Sequence, residues 1–343
     1  MAKAMDNLVQ HSFPPPPRCS AGPAPVRVPG SVRRTSSLDF FWPDGQAGAK
    51  RMIGRARDII TPFNGVPPTV CREDAITGIV KLDRTIVAIE SDPPKPALSR
   101  LVGERGGGGL RKVVAQVVPE EREHATPLYL LLDDLAGASL VSSWAWAHWN
   151  PNWMDDARSI MNIDMEEAMR SREGICIGFI PGSSAFLPDR DRSGAPAGDV
   201  RNPEDPEGWH AFPEATGINM RRARRIDVWR EDVIVIDSAF QDSASTPSGE
   251  RRAVHEYQLR VTADPHSLTL LSIEAVPRIL PHNECPAAVG KTPKLIGTPL
   301  ADLRERVLVE LRGMEGCTHL NDALRALADV PTLLDFLPTP AAA

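Results

Sequence analysis

Arg33-Arg34-Thr-Ser-Ser-Leu38-Asp39 returns in the second half of the chain as Arg221-Arg222-Ala-Arg-Arg-Ile226-Asp227. The match is not isolated. His11-Ser-Phe-Pro14 returns as His210-Ala-Phe-Pro213, and Ile89-Glu90 followed by Pro93 as Ile273-Glu274 followed by Pro277. Leu101-Val-Gly103 matches Leu295-Ile-Gly297, Leu110-Arg111 matches Leu303-Arg304, and Thr126-Pro-Leu128 matches Thr318-His-Leu320. Leu132, Leu135 and Ala136 match Leu324, Leu327 and Ala328. The order never changes, and the offsets run from 184 to 199. That period is the size of a domain, far beyond a solenoid repeat. The chain is therefore expected to be a tandem duplication of one module with a pseudo-two-fold relation.

Local patterns give the module its content. Residues 76–82 and 85–91 predict a hairpin turning at Asp83-Arg84. Strands are expected at 225–229, 233–240, 253–263 and 267–276, with breaks at Arg230-Glu231-Asp232 and Asp264-Pro265. Each set is followed by a proline, a short helical stretch closing at Gly103 or Gly297, a helix (110–118; 300–312) and a final helix (127–147; 319–329). Strands followed by helices imply an α+β fold, an antiparallel sheet with helices on one face. The organisation reads as a Pro-rich segment 1–30, a first copy 31–149, a connector or lid 150–209 and a second copy 210–337. The connector is rich in Pro, Gly, Asp and Arg, as in Asp189-Arg-Asp-Arg-Ser-Gly-Ala-Pro196, and reads as a partly disordered surface loop with one strand at Ile175–Ile180.

Composition narrows the function. The 343 residues carry 42% apolar and 24% charged side chains and a net charge of −6, which argues against nucleic acid as the main partner. Arg221, Arg222, Arg224 and Arg225 form a local basic cluster and read as a solvated strand edge. No run of 18 apolar residues spans a membrane, and no hydrophobic stretch marks a secretory signal. Five scattered cysteines fit a reducing compartment, so a cytoplasmic protein is expected, a monomer or homodimer with a small-molecule ligand.

Three stretches, Arg221-Arg-Ala-Arg-Arg-Ile-Asp-Val228, His255-Glu-Tyr257 and Gly316-Cys-Thr-His-Leu320, resemble the bacterial proteins labelled domain of unknown function 2889. Residues 210–335 carry the resemblance best, with the first copy as a diverged relative. It implies the domain and a bacterial setting but no activity.

Several residues carry chemistry. His282, Cys285, Cys317 and His319 offer two imidazoles and two thiolates for a single closed zinc site, at a spacing tighter than in ordinary zinc fingers. Equally, Cys317 reads as a small buried residue or an activated thiol at a helix start, with Thr318 as the cap. Asp133 and Asp134 lie inside an apolar helix, where a carboxylate must be paired, hydrogen-bonded or protonated. They serve either as acid–base groups or as structural partners, Asp133 facing Arg325 across the two-fold. Trp144, Trp146 and Trp149 line an apolar pocket or belong to the core. His255 and Tyr257 share a strand face with Leu259 and Val261, as a proton-transfer pair or as satisfied core groups.

No dinucleotide fingerprint, phosphate loop or nucleophile elbow is present. One expectation is a cofactor-independent acid–base enzyme of isomerase, lyase or hydrolase type. It would act on a small apolar molecule between the copies, with Asp133, Asp134, His255 and Tyr257 as catalytic groups. The alternative is a non-catalytic ligand-binding or accessory protein with a structural metal or buried ion pairs.

Overall fold

The structure, a computed structural model, describes residues 13–338 apart from 64, 163 and 188–190. His11, and residues 189 and 190 of the connector, lie outside the described residues. Four strands, β1 (Ser31–Phe41), β2 (Lys50–Thr61), β3 (Thr69–Val80) and β4 (Ile86–Asp92), form an antiparallel meander. Helices α1 (Leu110–Val117), α2 (Pro119–Glu123) and α3 (Pro127–Val141) follow it. The segment after them holds α4 (Trp153–Met161), α5 (Met165–Arg170) and the two-residue strand β5 (Ala195–Pro196). A second meander, β6 (Asn219–Arg230), β7 (Ile234–Ser245), β8 (Arg251–Ala263) and β9 (Leu270–Ile279), precedes α6 (Leu303–Glu310), α7 (Thr318–Ala326) and α8 (Val330–Leu334). Among the described residues, no helix is long and apolar enough to cross a membrane.

The two meanders join edge to edge. β1 pairs antiparallel with β6, giving the order β4-β3-β2-β1-β6-β7-β8 with β9 and β5 both on β8. This mixed helix and antiparallel sheet architecture is α+β. β1 and β2 were absent from the local sequence signals, and β6 begins six residues before its expected start. Both central strands carry charged or polar residues on both faces, as at Arg33-Arg34 and Arg221-Arg222, so a hydrophobic period of two does not mark them. Ile177–Phe179 forms one 3-10 turn instead of a strand. Its backbone N–H groups are spent on Gly316 O and the turn itself, not on a ladder.

The arginines of β6 are not a solvated edge. Arg222, Arg224 and Arg225 are each 1% exposed, because β6 is central and covered on both faces. Helices cover one face. Residues 20–30 and 195–212 cover the other, with Ala24 and Trp209 packed on Ala223, and His210 between Thr35 and Ser37. The connector is thus a structural layer. Such guanidiniums remain charged, and each of these meets a carboxylate that offsets the cost of its burial.

Alternate residues of the central strands serve alternate faces. On the outer face, Arg33 clasps Asp227 with bonds of 2.5 and 2.8 Å, and Arg221 donates to Asp39 at 2.6 Å. On the helix face, Arg34 holds Asp58 at 2.6 and 2.7 Å and reaches Asp329 at 2.7 Å. Arg222 holds Asp242 at 2.9 and 3.0 Å and reaches Asp322 at 3.1 Å. These pairs form a charged seam between two apolar cores. One core is built on β6–β9 with α6 to α8; the other is built on β1–β4 with α1 and α3. Gly137 lets the seam pass under α3: a Cβ there would stand 2.4 Å from Arg222 Nη1.

Candidate functional site

The seam ends in the second meander at a histidine. β7 and β8 pair so that Asp242 stands opposite His255, and a bulge follows at once. Opposite residues of an antiparallel pair share a face, so the carboxylate and the imidazole meet, with His255 Nδ1 3.2 Å from Asp242 Oδ2. On the other side of β7, Arg222 of β6 stands opposite Asp242 and takes both of its oxygens. The third component comes from the start of α7. His319 stacks on His255 with ring centroids 3.4 Å apart and planes 18° from parallel. Phe240, two residues before Asp242, lies against His319 and under the guanidiniums of Arg222 and Arg224. Asp242 and His255 are buried, while His319 is half-buried and gives the group its contact with solvent.

Charge decides the proton positions. Burial alone would raise the Asp242 carboxyl, but Arg222 and His255 hold it well below the usual carboxylate range. An anionic Asp242 accepts, so a neutral His255 carries its proton on Nδ1 and presents a bare Nε2. That Nε2 has no hydrogen-bond partner among the described residues. Burial lowers the His255 pKa, with Asp242 opposing in part. Burial also lowers His319 well below its ordinary value, and the neighbouring His255 adds to the shift. Two stacked imidazoles at this distance do not both charge readily.

Donor atoms of Asp242, His255 and His319 lie within 4.8 Å of one another, which is the spacing of a metal-ligand group. The chemistry of the set fits a metal poorly. Both Asp242 oxygens are committed to Arg222, and ring-plane lone pairs of parallel, stacked imidazoles do not converge on one ion. The expected zinc set does not assemble either. No three of His282, Cys285, Cys317 and His319 bring donor atoms within 4.8 Å of one another among the described residues. His319 turns toward His255, because its place at the start of α7 faces β8. Cys285 and His282 instead border Gly178, together with Cys176 of the connector. Tyr257, two residues beyond His255, is buried with Cys317, Cys285 and Cys176 as neighbours. Burial pushes its phenol up, raises Cys317 and carries Cys176 to about 11, so these thiols are protonated rather than nucleophilic.

The other sequence candidates lie elsewhere. Asp133 accepts from Arg325 at 3.0 Å, the pairing expected across the halves. Burial would raise its carboxyl, but Arg325, Arg304 and Arg111 lower it to about 2. Asp134 receives two bonds from Arg224, at 3.0 and 2.6 Å. Both carboxylates are parts of the seam and neither meets His255. The tryptophans do not line one pocket. Trp144 donates to Arg192 O and packs on His148, Trp146 packs on Trp42, and Trp149 donates to Ser245 O on the outer face. Asp242 and Arg222 escaped sequence reasoning as site residues. The available signal was an acid buried in an apolar strand, 20 residues after an arginine, as Asp58 lies 24 after Arg34.

A family model described as a protein of unknown function (DUF2889) matches residues 220–333. The matched segment contains all three stretches that carry the resemblance, and the fold brings them together as Arg222, His255, Tyr257, Cys317 and His319. Residues 31–149 lie outside it. No curated protein and no solved structure matches the chain.

Proposed function

We propose that this protein is a cofactor-independent acid–base enzyme whose proton-transfer atom is His255 Nε2. The Arg222–Asp242–His255 chain carries this reading: two members are held charged, and the third has a free ring nitrogen. Asp242 keeps the Nδ1 proton in place, so a proton leaving a substrate goes to Nε2. Asp242 then balances the imidazolium, and the same proton returns to another substrate atom or to a leaving group. His319 limits the charge that accumulates beside it. Burial, with Arg222 adding to it, keeps His255 neutral near pH 7. Tyr257 acts at one remove, packing on Cys317 and so seating the start of α7 that carries His319. The carboxylate role passes from Asp133 and Asp134 to Asp242. The five free cysteines fit a reducing, cytoplasmic setting.

We also infer that the chain arose by tandem duplication, with a pseudo-two-fold axis between Ser36 and Arg224. Those residues stand opposite each other in the β1–β6 ladder, midway between the reciprocal pairs Arg33–Asp227 and Arg221–Asp39. The ladder register agrees with the sequence repeat, in which Arg33 matches Arg221 and Asp39 matches Asp227.

Long-range proton–nitrogen NMR of the imidazoles tests the proton-transfer centre. The expected His255 at pH 7 is neutral, protonated on Nδ1 and titrating below the ordinary histidine value. A ring protonated on Nε2, or charged at pH 7, sinks the base role. Asp242→Asn is expected to reverse the tautomer, since an amide can donate to Nδ1.

A further inference from the structure

The outer face of the same meander holds a second feature, on the opposite side of the sheet from His255. A cleft of about 670 Å³ opens over the ends of β6, β7 and β8, within the size range of small-molecule sites. Arg221 and Arg251 lie in its floor, and Trp149 and Phe212 stand in its walls.

Its two floor arginines make a single direct carboxylate contact between them. Arg251 makes three hydrogen bonds, all to neutral acceptors: Ser243 Oγ at 3.2 Å, Asn219 Oδ1 at 2.7 Å and Ser243 O at 2.8 Å. It has no carboxylate within 4.0 Å among the described residues. Arg221 gives only its Nε to Asp39, and its two terminal amino groups have no acceptor among the described residues. Its guanidinium lies over the Phe212 ring, 3.5 Å from the centroid, which fixes its plane without using those donors. Arg201, at the rim, is already paired with Asp199. Asp39 and Asp199 act on the two floor guanidiniums, Glu214 also lines the cleft, and burial lowers Arg251 to about 10 with Arg221 adding to the shift.

The matching place in the first meander shows what saturation looks like. Arg33 gives two bonds to Asp227 and further bonds to Pro25 O and Gly208 O, and the 20–30 segment closes over it. In the second meander the donors are left pointing into an open, aromatic-walled cleft. Planar guanidinium donors of this kind recognise carboxylates and phosphates.

We propose that this cleft binds a small organic oxyanion, a carboxylate or a phosphate ester, through Arg251 and Arg221, with its apolar part against Trp149 and Phe212. The site is independent of the His255 centre.

Isothermal titration calorimetry with phenyl phosphate, benzoate and uncharged benzyl alcohol tests it. At least one anion is expected to bind with a Kd of about 1 mM or tighter at low salt, and benzyl alcohol to give no heat. Phenyl phosphate alone marks a phosphate-ester site, and benzoate alone marks a carboxylate site. Arg251→Gln is expected to weaken binding about tenfold or more, with Arg251→Lys between. His255→Gln, which disables the other centre, is expected to bind as the wild type does. No heat from either anion up to roughly 10 mM, ten times the expected Kd, overturns the proposal. So does unchanged binding by a folded Arg251→Gln protein.

Discussion

Asp58 and Asp242 occupy the same place in the two meanders, and they differ in their third neighbour. Each stands on the second strand, is clasped by an arginine of the first strand and is followed by a bulge. Opposite Asp58 stands Arg72, whose Nε donates to Asp58 Oδ2 at 2.7 Å while its guanidinium packs on Phe336. Opposite Asp242 stands His255, packed on His319. The first arrangement has two guanidiniums on one carboxylate and no group that titrates near neutrality. The second replaces one guanidinium by an imidazole and leaves a ring nitrogen free. One substitution of residue type thus separates an ion pair that only holds strands together from a centre that can move a proton. The outer face repeats the lesson, with Arg33 saturated and Arg221 left open.

The largest test of the comparison removes the shared element. Asp58→Ala takes the carboxylate from Arg72 and leaves Arg34 to Asp329, and Asp242→Ala leaves Arg222 to Asp322, in a buried seam. Each is expected to destabilise the fold by about 3–5 kcal/mol in urea unfolding. A loss below about 1 kcal/mol at either position, the size of an exposed pair, would mean that the two carboxylates are not equivalent supports.

A smaller effect tests whether the seam couples the halves. Asp133 and Arg325 come from different halves, so Asp133→Leu and Arg325→Leu are expected to interact by about 0.5–3 kcal/mol in a double-mutant cycle. The double variant should be milder than the sum of the two single changes. Strict additivity would break the link.

The smallest effect separates the third neighbours by pH. His255, His319 and the hydroxyl-bonded His210 all have folded pKa values below the ordinary one. The unfolded chain therefore takes up protons first as the pH falls through about 6.5. Stability is full above that pH and declines below it, by at most about 1.4 kcal/mol per pH unit for each imidazole. His255→Arg, which copies the first meander's Arg72, is expected to fold and to flatten this slope between pH 6.5 and 5, as read from melting temperatures. An unchanged slope would show that His255 titrates as it does in the unfolded chain. The comparison would then lose its functional half.

Much of the fold was legible because its signals are local. The hairpin turning at Asp83-Arg84, the helices after each meander and the positive φ of Gly103 and Gly297, 90° and 87°, each follow from a few neighbouring residues. β1 was not legible, because its Arg, Ser, Thr and Asp residues look solvated until both faces are covered. Half of the centre was legible too. His255 and His319 stand out as two of the chain's eight imidazoles, His255 on one strand face with Leu259 and Val261, whereas Asp242 resembles any aspartate in the chain.

By itself the sequence determined the element types, the matching Arg-Arg and Asp spacing of the two halves and the need of Asp133 for a cation. Those follow from side-chain periodicity and from the cost of burying an unpaired charge. Only the tertiary structure decided that β1 pairs with β6, that Asp242 and not Asp133 or Asp134 meets His255, and that the zinc-like set stays apart. Strand register and helix placement choose partners between residues far apart in the chain, and no local pattern encodes which charge will face which.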